Sequence, residues 1–69
     1  MPESVYKIIE LVGTSTESWE KAATNAVNKA SETLRDLRIA EISAMDLQIK
    51  DGKVESYRCK VKVSFKFEG

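Results

Sequence analysis

Residues 34–46, LRDLRIAEISAMD, mark the place where the chain changes from helical to strand periodicity. Before this segment, apolar residues recur every three or four positions, which is the spacing of a helix with one buried face. From residue 38 onward the period falls to two, as in a strand that turns one face to a core. Little turn-forming sequence lies between the two patterns. The segment therefore predicts a helix that passes almost directly into a strand.

The helix is predicted over residues 14–37, TSTESWEKAATNAVNKASETLRDL. Thr14 and Glu17 have the spacing of a capping box, and Ser15 is a second candidate N-cap. We interpret Trp19 as an anchor of core packing, because a large aromatic ring supplies much of the buried area of a small core. The apolar stripe is rich in alanine, which lets a helix lie close to its neighbours: Trp19, Ala22, Ala23, Ala26, Val27, Ala30, Leu34 and Leu37.

Three strands are predicted, one before this helix in the sequence and two after it. The first covers residues 4–12 and is ended by Gly13. The second covers residues 38–49, and strict alternation puts one series on one face: Ile39, Glu41, Ser43 and Met45. Asp51-Gly52 is the sequence of a two-residue type I′ hairpin turn. The third strand alternates over residues 57–67, and its apolar series includes Cys59, which we interpret as a small hydrophobic residue.

The order β-α-β-β predicts an α+β fold, a single domain over residues 1–69. Its second and third strands form the hairpin, its first strand pairs with the third, and one long helix covers one face of this three-stranded antiparallel sheet. One helix covers only a strip of such a sheet. The strand ends and the second face must therefore meet solvent or other subunits.

The composition limits how a chain of 69 residues is stabilised, because so short a chain buries a small core. The lone Cys59 excludes an intrachain disulfide, and the absence of histidine argues against a zinc site. Three ways of stabilising the chain remain: oligomerisation, a cation site with oxygen ligands, or a very well packed monomer. Eleven basic residues balance eleven acidic ones, which argues against nucleic-acid binding. Without a long apolar run or a signal peptide, we expect no membrane partner and a soluble, cytoplasmic protein.

No catalytic constellation is visible in the sequence. It has no histidine for general base catalysis, no nucleotide-binding glycine motif and no Ser-His or Cys-His pair. We therefore expect a protein that is not an enzyme. Asp46 and Asp51 near the hairpin could hold a hard cation, although they lack the density of an EF-hand loop.

The sequence resembles the dodecin family over residues 5–68. The similarity is carried by VYKIIELVGTSTESWEKAATNAVNKASETLRDLR, then AEI, then YRCKVKVSFKFE. This resemblance implies that the chain's partner is itself, in a hollow homododecamer of cubic symmetry that is built from trimers. It also implies pairs of flavins, such as FMN, riboflavin or FAD, at two-fold interfaces, with a role in storage and photoprotective quenching.

The resemblance places the flavin pocket at Arg38, Ile39, Asp46 and Arg58. Ile39 stands where flavin-binding members have a stacking tryptophan, and Arg58 stands where they have a glutamine that contacts the ring edge. Asp46 replaces a residue that is basic in many bacterial members. Loss of the aromatic ring removes stacking, and arginine cannot accept a hydrogen bond. We therefore expect flavin binding to be weak or lost. Arg58 could still donate to a flavin carbonyl, or it could pair with Asp46 or Glu41 and close the pocket by an ion pair.

The same replacements resemble a dodecin branch described as calcium-binding. On this alternative Asp46 holds Ca²⁺, with Glu41 or Asp51 as further ligands. A second alternative is a purely structural assembly without a ligand. The sequence leaves open whether Lys29, Arg35 and Lys66 bind an anionic tail such as that of coenzyme A.

Overall fold

The computed structural model describes residues 3–67, which form four elements. These are strand β1 (Tyr6–Ser15), helix α1 (Trp19–Ser31), strand β2 (Leu37–Lys50) and strand β3 (Lys53–Lys66). The sheet has the order β1-β3-β2, and β3 pairs antiparallel with both neighbours. The predicted α+β fold and strand order are confirmed.

Helix α1 is shorter than predicted at both ends. Gly13 does not end β1, because it pairs with Cys59 and the strand continues through Ser15. Neither Thr14 nor Ser15 is the N-cap: Ser18 has this role, and its hydroxyl accepts a 3.0 Å hydrogen bond from the Lys21 amide. The Ser15 hydroxyl instead accepts from the Glu17 amide in the turn before the helix.

The C-terminal end of α1 lies at Ser31, well before the predicted Leu37. The amides of Thr33 and Leu34 both donate to the Ala30 carbonyl, so the last turn tightens and the regular ladder stops. Asp36 then adopts a left-handed backbone conformation, with φ 58°, and β2 begins at the next residue. Aspartate tolerates this conformation better than most residues, which explains how a short joint reverses the chain.

The core lies between α1 and the central strand β3. Cys59, Val61 and Val63 are buried on the sheet beneath an alanine row of the helix: Ala22, Ala26 and Ala30. Gly13 lies under the same helix, where an added Cβ would be 2.0 Å from the Ala22 carbonyl oxygen. The small side chains on both sides thus allow a close approach of helix and sheet. Cys59 is part of this core, and its thiol donates to the Trp19 carbonyl.

Strand β2 departs from the predicted strict alternation. Ile42 pairs with Val61 and Ala44 with Lys60, so Ser43 is an extra residue that forms a β-bulge. Beyond the bulge, Met45 pairs with Cys59 and shares the helix side of the sheet with Ile42. The assignment of Met45 to the same face as Ile39 was therefore wrong. The extra residue reverses which side chains face each side from there on.

The hairpin turn confirms the Asp51-Gly52 prediction, since both residues have positive φ, 54° and 76°. The pairing of β1 ends at Tyr57, so residues 48–56 form a two-stranded arm that projects beyond the rest of the sheet. The molecule is accordingly elongated, measuring 52 × 20 × 17 Å, with a radius of gyration of 14.2 Å. A compact domain of this length would have a radius of about 11 Å.

Candidate functional site

The candidate site lies on the sheet face turned away from α1, which we call the open face. The cross-strand register and the alternation of buried residues assign its members: Ile8, Glu10, Val12, Ile39, Glu41, Asp46, Arg58, Lys60 and Lys62. Charged and apolar side chains therefore share this face. Ile8 and Ile39 are 59% and 66% exposed, which is unusual for large aliphatic side chains in contact with solvent alone.

Arg58 and Asp46 form an ion pair on the open face. Arg58 Nε donates to Asp46 Oδ1 at 2.7 Å, and Nη2 donates to Oδ2 at 3.0 Å. The two residues are direct cross-strand partners of β3 and β2. Such a two-pronged pair fixes the orientation of both side chains. The expected pairing of Arg58 with Asp46 is thus present, whereas Glu41 faces Lys62, further along the sheet.

The ion pair perturbs the protonation of both groups. Hydrogen bonds from Arg58 lower the pKa of the Asp46 carboxyl below its usual value; partial burial opposes this shift, and the charges of Arg58 and Lys60 add to it. The hydrogen bonds and charge of Asp46 in turn raise the pKa of the Arg58 guanidinium. Asp46 therefore stays ionised and engaged throughout the neutral range.

This pair predicts a pH-dependent component of stability. Because the pKa of Asp46 is lower in the folded state, the stabilisation is complete above its unfolded pKa and is lost as the pH falls through the folded pKa. Asp46→Asn should therefore reduce the free energy of unfolding most near neutral pH and least in strong acid. Urea unfolding between about pH 2 and pH 7, at one protein concentration, measures the difference.

The matched partner variant is Arg58→Gln, which removes the main cause of the lowered Asp46 pKa but keeps the charge of Lys60, and it should remove most of the same pH-dependent component. A stability difference between wild type and Asp46→Asn that does not change with pH would contradict this account of the pair.

Trp19 connects the helix to the strand that carries Asp46. Its indole Nε1 donates to the Asp46 carbonyl at 3.1 Å, and its ring packs edge-on against Tyr57 with centroids 5.0 Å apart. The ring remains 37% exposed, so Trp19 is an anchor at the rim of the core. The sequence pattern identified Trp19 as apolar but gave no sign of this contact, because the Ser43 bulge decides which β2 residues lie beside α1.

The four residues of the expected flavin pocket lie at two separate places on the chain. Ile39 pairs with Ser64, while Asp46 pairs with Arg58. These positions are six residues apart along β3, about 20 Å in an extended strand. Arg38 adjoins Ile39, at a register shift between Leu37 and Ile39. A single chain therefore does not assemble these residues into one pocket.

The three carboxylates expected for a cation are also separated. Glu41, Asp46 and Asp51 are each five residues apart on β2 and its turn, about 16 Å in extended chain. Both oxygens of Asp46 already accept from Arg58. Among residues 3–67, no three Asp, Glu, Cys or His side chains are placed to hold one metal ion. Since Ca²⁺ takes about six to eight oxygen ligands, one chain alone does not fit it.

The three cations considered for an anionic tail are partly brought together. Arg35 and Lys66 line one surface cavity of about 490 Å³ with Lys7. Lys29 lies elsewhere on the surface and forms a 3.4 Å ion pair with Glu32 on its own helix end. In addition, no helix of the described residues has the length and hydropathy needed to cross a bilayer.

Comparisons with known proteins agree on one family. The Dodecin family model matches residues 5–68. Calcium dodecin of Mycobacterium tuberculosis is 43% identical over 63 residues, which cover 91% of this chain and 89% of that protein.

Solved structures give the same result. The dodecin from Streptomyces coelicolor superposes with a TM-score of 0.92 at 38% identity, covering 100% of this chain and 99% of that one. The calcium dodecin structure from Mycobacterium tuberculosis, described as having a novel calcium-binding site, gives a TM-score of 0.84 at 44% identity and covers 94% and 93% of the two chains. With its sequence matched over nearly the whole length and its fold superposed, this chain belongs to the dodecin family.

Proposed function

We propose that this protein is a non-enzymatic, small-ligand-binding dodecin that acts as a homododecamer, with a flavin site that is weak or closed. The observation that carries the proposal is the two-pronged contact between Arg58 and Asp46. It holds two of the expected pocket positions against each other. A flavin ring must separate this pair or bind beside it, without the aromatic partner that Ile39 replaces.

The surface of the single chain supports the proposed assembly. Its accessible area is 5358 Å² for a mass of 7.7 kDa. A monomer of this mass exposes about 4,300 Å², so about 1,000 Å² is in excess. Much of the exposed apolar surface lies on β2 and on the projecting arm: Ile39, Ile42, Met45, Ile49 and Val54. Because an isolated two-stranded arm is marginally stable in water, we expect neighbouring copies to cover it.

A two-fold axis would allow pocket positions that are distant within one chain to meet between two copies. In an interface between identical surfaces, each residue i of one copy contacts residue j of the other, and the reverse contact also occurs. Ile39 of one copy and Arg58 of a second copy can therefore adjoin, although they are far apart within one chain.

A flavin titration tests the proposal directly. We expect the purified protein to be colourless, and we expect riboflavin or FMN added at micromolar concentration to keep its fluorescence. Sedimentation of the same sample checks that it is the assembly. A yellow protein that quenches flavin fluorescence at low concentration would refute the closed site, and a monomer or isolated trimer would refute the dodecamer.

A second candidate function is calcium binding at Asp46, which is favoured by the 43% identity to calcium dodecin. The residues of one chain do not fit the ion, so the donors would have to come from several copies. Calorimetry with Ca²⁺ on wild type and Asp46→Ala provides the test. Equal heats of Ca²⁺ binding in the two proteins would show that Asp46 is not a cation ligand. If neither protein gave heat with Ca²⁺, the remaining interpretations would be an assembly with a weak flavin site or a purely structural assembly.

A further inference from the structure

The guanidinium of Arg58 is presented on the open face in a geometry suited to an anion. Its Nε and Nη2 groups donate in parallel to the two oxygens of Asp46. Arginine uses this same fork to bind carboxylates and phosphates of ligands. The side chains of Arg58 and Asp46 are 39% and 43% exposed on the single chain, so the chain's own fold does not cover them.

A second positive charge lies beside the pair. Lys60 follows Arg58 by two residues on β3, so it points to the same face, and it is exposed. Its charge acts on the Asp46 carboxylate. Asp46 therefore lies next to two cations, and it holds one of them by hydrogen bonds.

The other two carboxylates of the open face, those of Glu10 and Glu41, belong to residues opposite Lys62. The Glu10 carboxylate also accepts a hydrogen bond from the Ser43 hydroxyl, so it is the acidic group that Lys60 shares with this face.

We infer that Arg58 is an oxyanion-binding group of the open face and that Asp46 is its tethered competitor. The phosphate or carboxylate of a ligand binds Arg58 in place of Asp46, with Lys60 as the second cation. This inference rests on the proposed ligand-binding function and names the chemistry of the ligand's charged part.

Tethering has a consequence for selectivity. A group held in place on the same chain competes as if it were present at millimolar concentration or more, on the order of values for short linkers. Free phosphate or small carboxylates at lower concentration are therefore excluded from Arg58. A ligand that attaches its anion to a larger body gains further contacts with the face and can displace Asp46.

The test uses inorganic phosphate as the probe, titrated calorimetrically into the whole protein. Asp46→Asn keeps the side-chain shape but removes the competing charge, and it should bind phosphate at least about tenfold more tightly than wild type. Glu41→Gln is the matched control. It removes one negative charge from the same strand and face, opposite Lys62 rather than Arg58, and should change phosphate affinity less than about twofold.

A double variant identifies the group that gains the anion. In Asp46→Asn with Arg58→Gln, the gain in phosphate affinity should disappear. If the double variant keeps the gain, or if Glu41→Gln gains as much as Asp46→Asn, a general charge effect explains the result and the inference is overturned. Equal phosphate affinity of Asp46→Asn and wild type overturns it as well.

Riboflavin and FMN differ by one phosphate, so comparing them tests whether Arg58 also binds an oxyanion that is attached to a larger ligand. In Asp46→Asn, loss of the ion pair can open the site to either flavin, so the measured quantity is the difference between the two: the gain in FMN affinity should exceed the gain in affinity for riboflavin, which lacks the phosphate, by at least about tenfold. Equal gains for both flavins would contradict an oxyanion site. Because Arg58 and Asp46 belong to one chain, the phosphate titration remains informative even if sedimentation shows no dodecamer, so failure of the proposed function is separately visible.

Discussion

Gly13→Ala is expected to be the most destabilising small substitution in this protein. The added Cβ would lie 2.0 Å from the Ala22 carbonyl oxygen and 2.9 Å from the Ala26 Cβ. The first contact is with helix backbone, so α1 must move away from β1. That movement opens the close packing of the alanine row over β3. We expect a loss of about 3 kcal/mol or more in the free energy of unfolding, measured by urea denaturation.

Gly52→Ala is the matched control for Gly13→Ala. Gly52 has φ 76°, and nothing lies within 4 Å of an added Cβ, so the substitution strains the turn without a collision. Its cost should be about 1 to 2 kcal/mol, the penalty for a left-handed alanine. If both variants lost the same free energy of unfolding, the collision with α1 would not be the reason why alanine at residue 13 is destabilising.

Ile39→Trp combined with Arg58→Gln is expected to create or greatly strengthen flavin binding. The first change restores the aromatic surface that the family resemblance places at this position, and the second restores an amide and releases the contact with Asp46. Stacking on one aromatic side chain is worth about 1–3 kcal/mol. This corresponds to about tenfold to hundredfold in affinity for each ring, and a two-fold interface provides two rings. Fluorescence titration with riboflavin measures the gain.

Ile49→Trp with Arg58→Gln is the matched control, because Ile49 is as exposed as Ile39, at 66%, and lies on the same strand. It adds an equal ring to the projecting arm, outside the expected pocket. Since both isoleucines are exposed on the single chain, neither change should disturb its fold, and sedimentation checks that each double variant still assembles. Equal flavin affinity in the two double variants would contradict the assignment of Ile39 to the pocket.

Residue patterns allowed the element order and the helix-facing series of β3 to be predicted, but not the ends of α1. Trp19 to Ala30 follow a helical spacing that the structure keeps. The same spacing continues through Leu34 and Leu37, yet the chain leaves the helix after Ser31. Leu37 instead pairs with Phe65 in the sheet and packs against the core. An apolar residue that continued the helical spacing was thus packed by the sheet and did not extend the helix.

One contact of the candidate site was predictable, whereas the membership of its residues in a binding site stays a prediction. The family resemblance indicated Ile39, Asp46 and Arg58, and a contact between Asp46 and Arg58 was one of two pairings expected. The partner of Arg58 depends on the register of β2. Ser43, whose hydroxyl lies 3.2 Å from the Lys60 carbonyl oxygen, occupies the bulge that places Asp46 rather than Met45 opposite Arg58. No local sequence pattern predicts the extra residue in β2, since the position of a bulge depends on contacts across the sheet.

The sequence by itself determined the β-α-β-β order, the Asp51-Gly52 turn and the buried series of the central strand. Each of these follows from local periodicity or from backbone preferences of single residues. The tertiary structure alone decided the length of α1, the close contact at Gly13, and the face on which Asp46 meets Arg58. These features depend on which distant residues face each other, and one inserted residue in an edge strand is enough to change that.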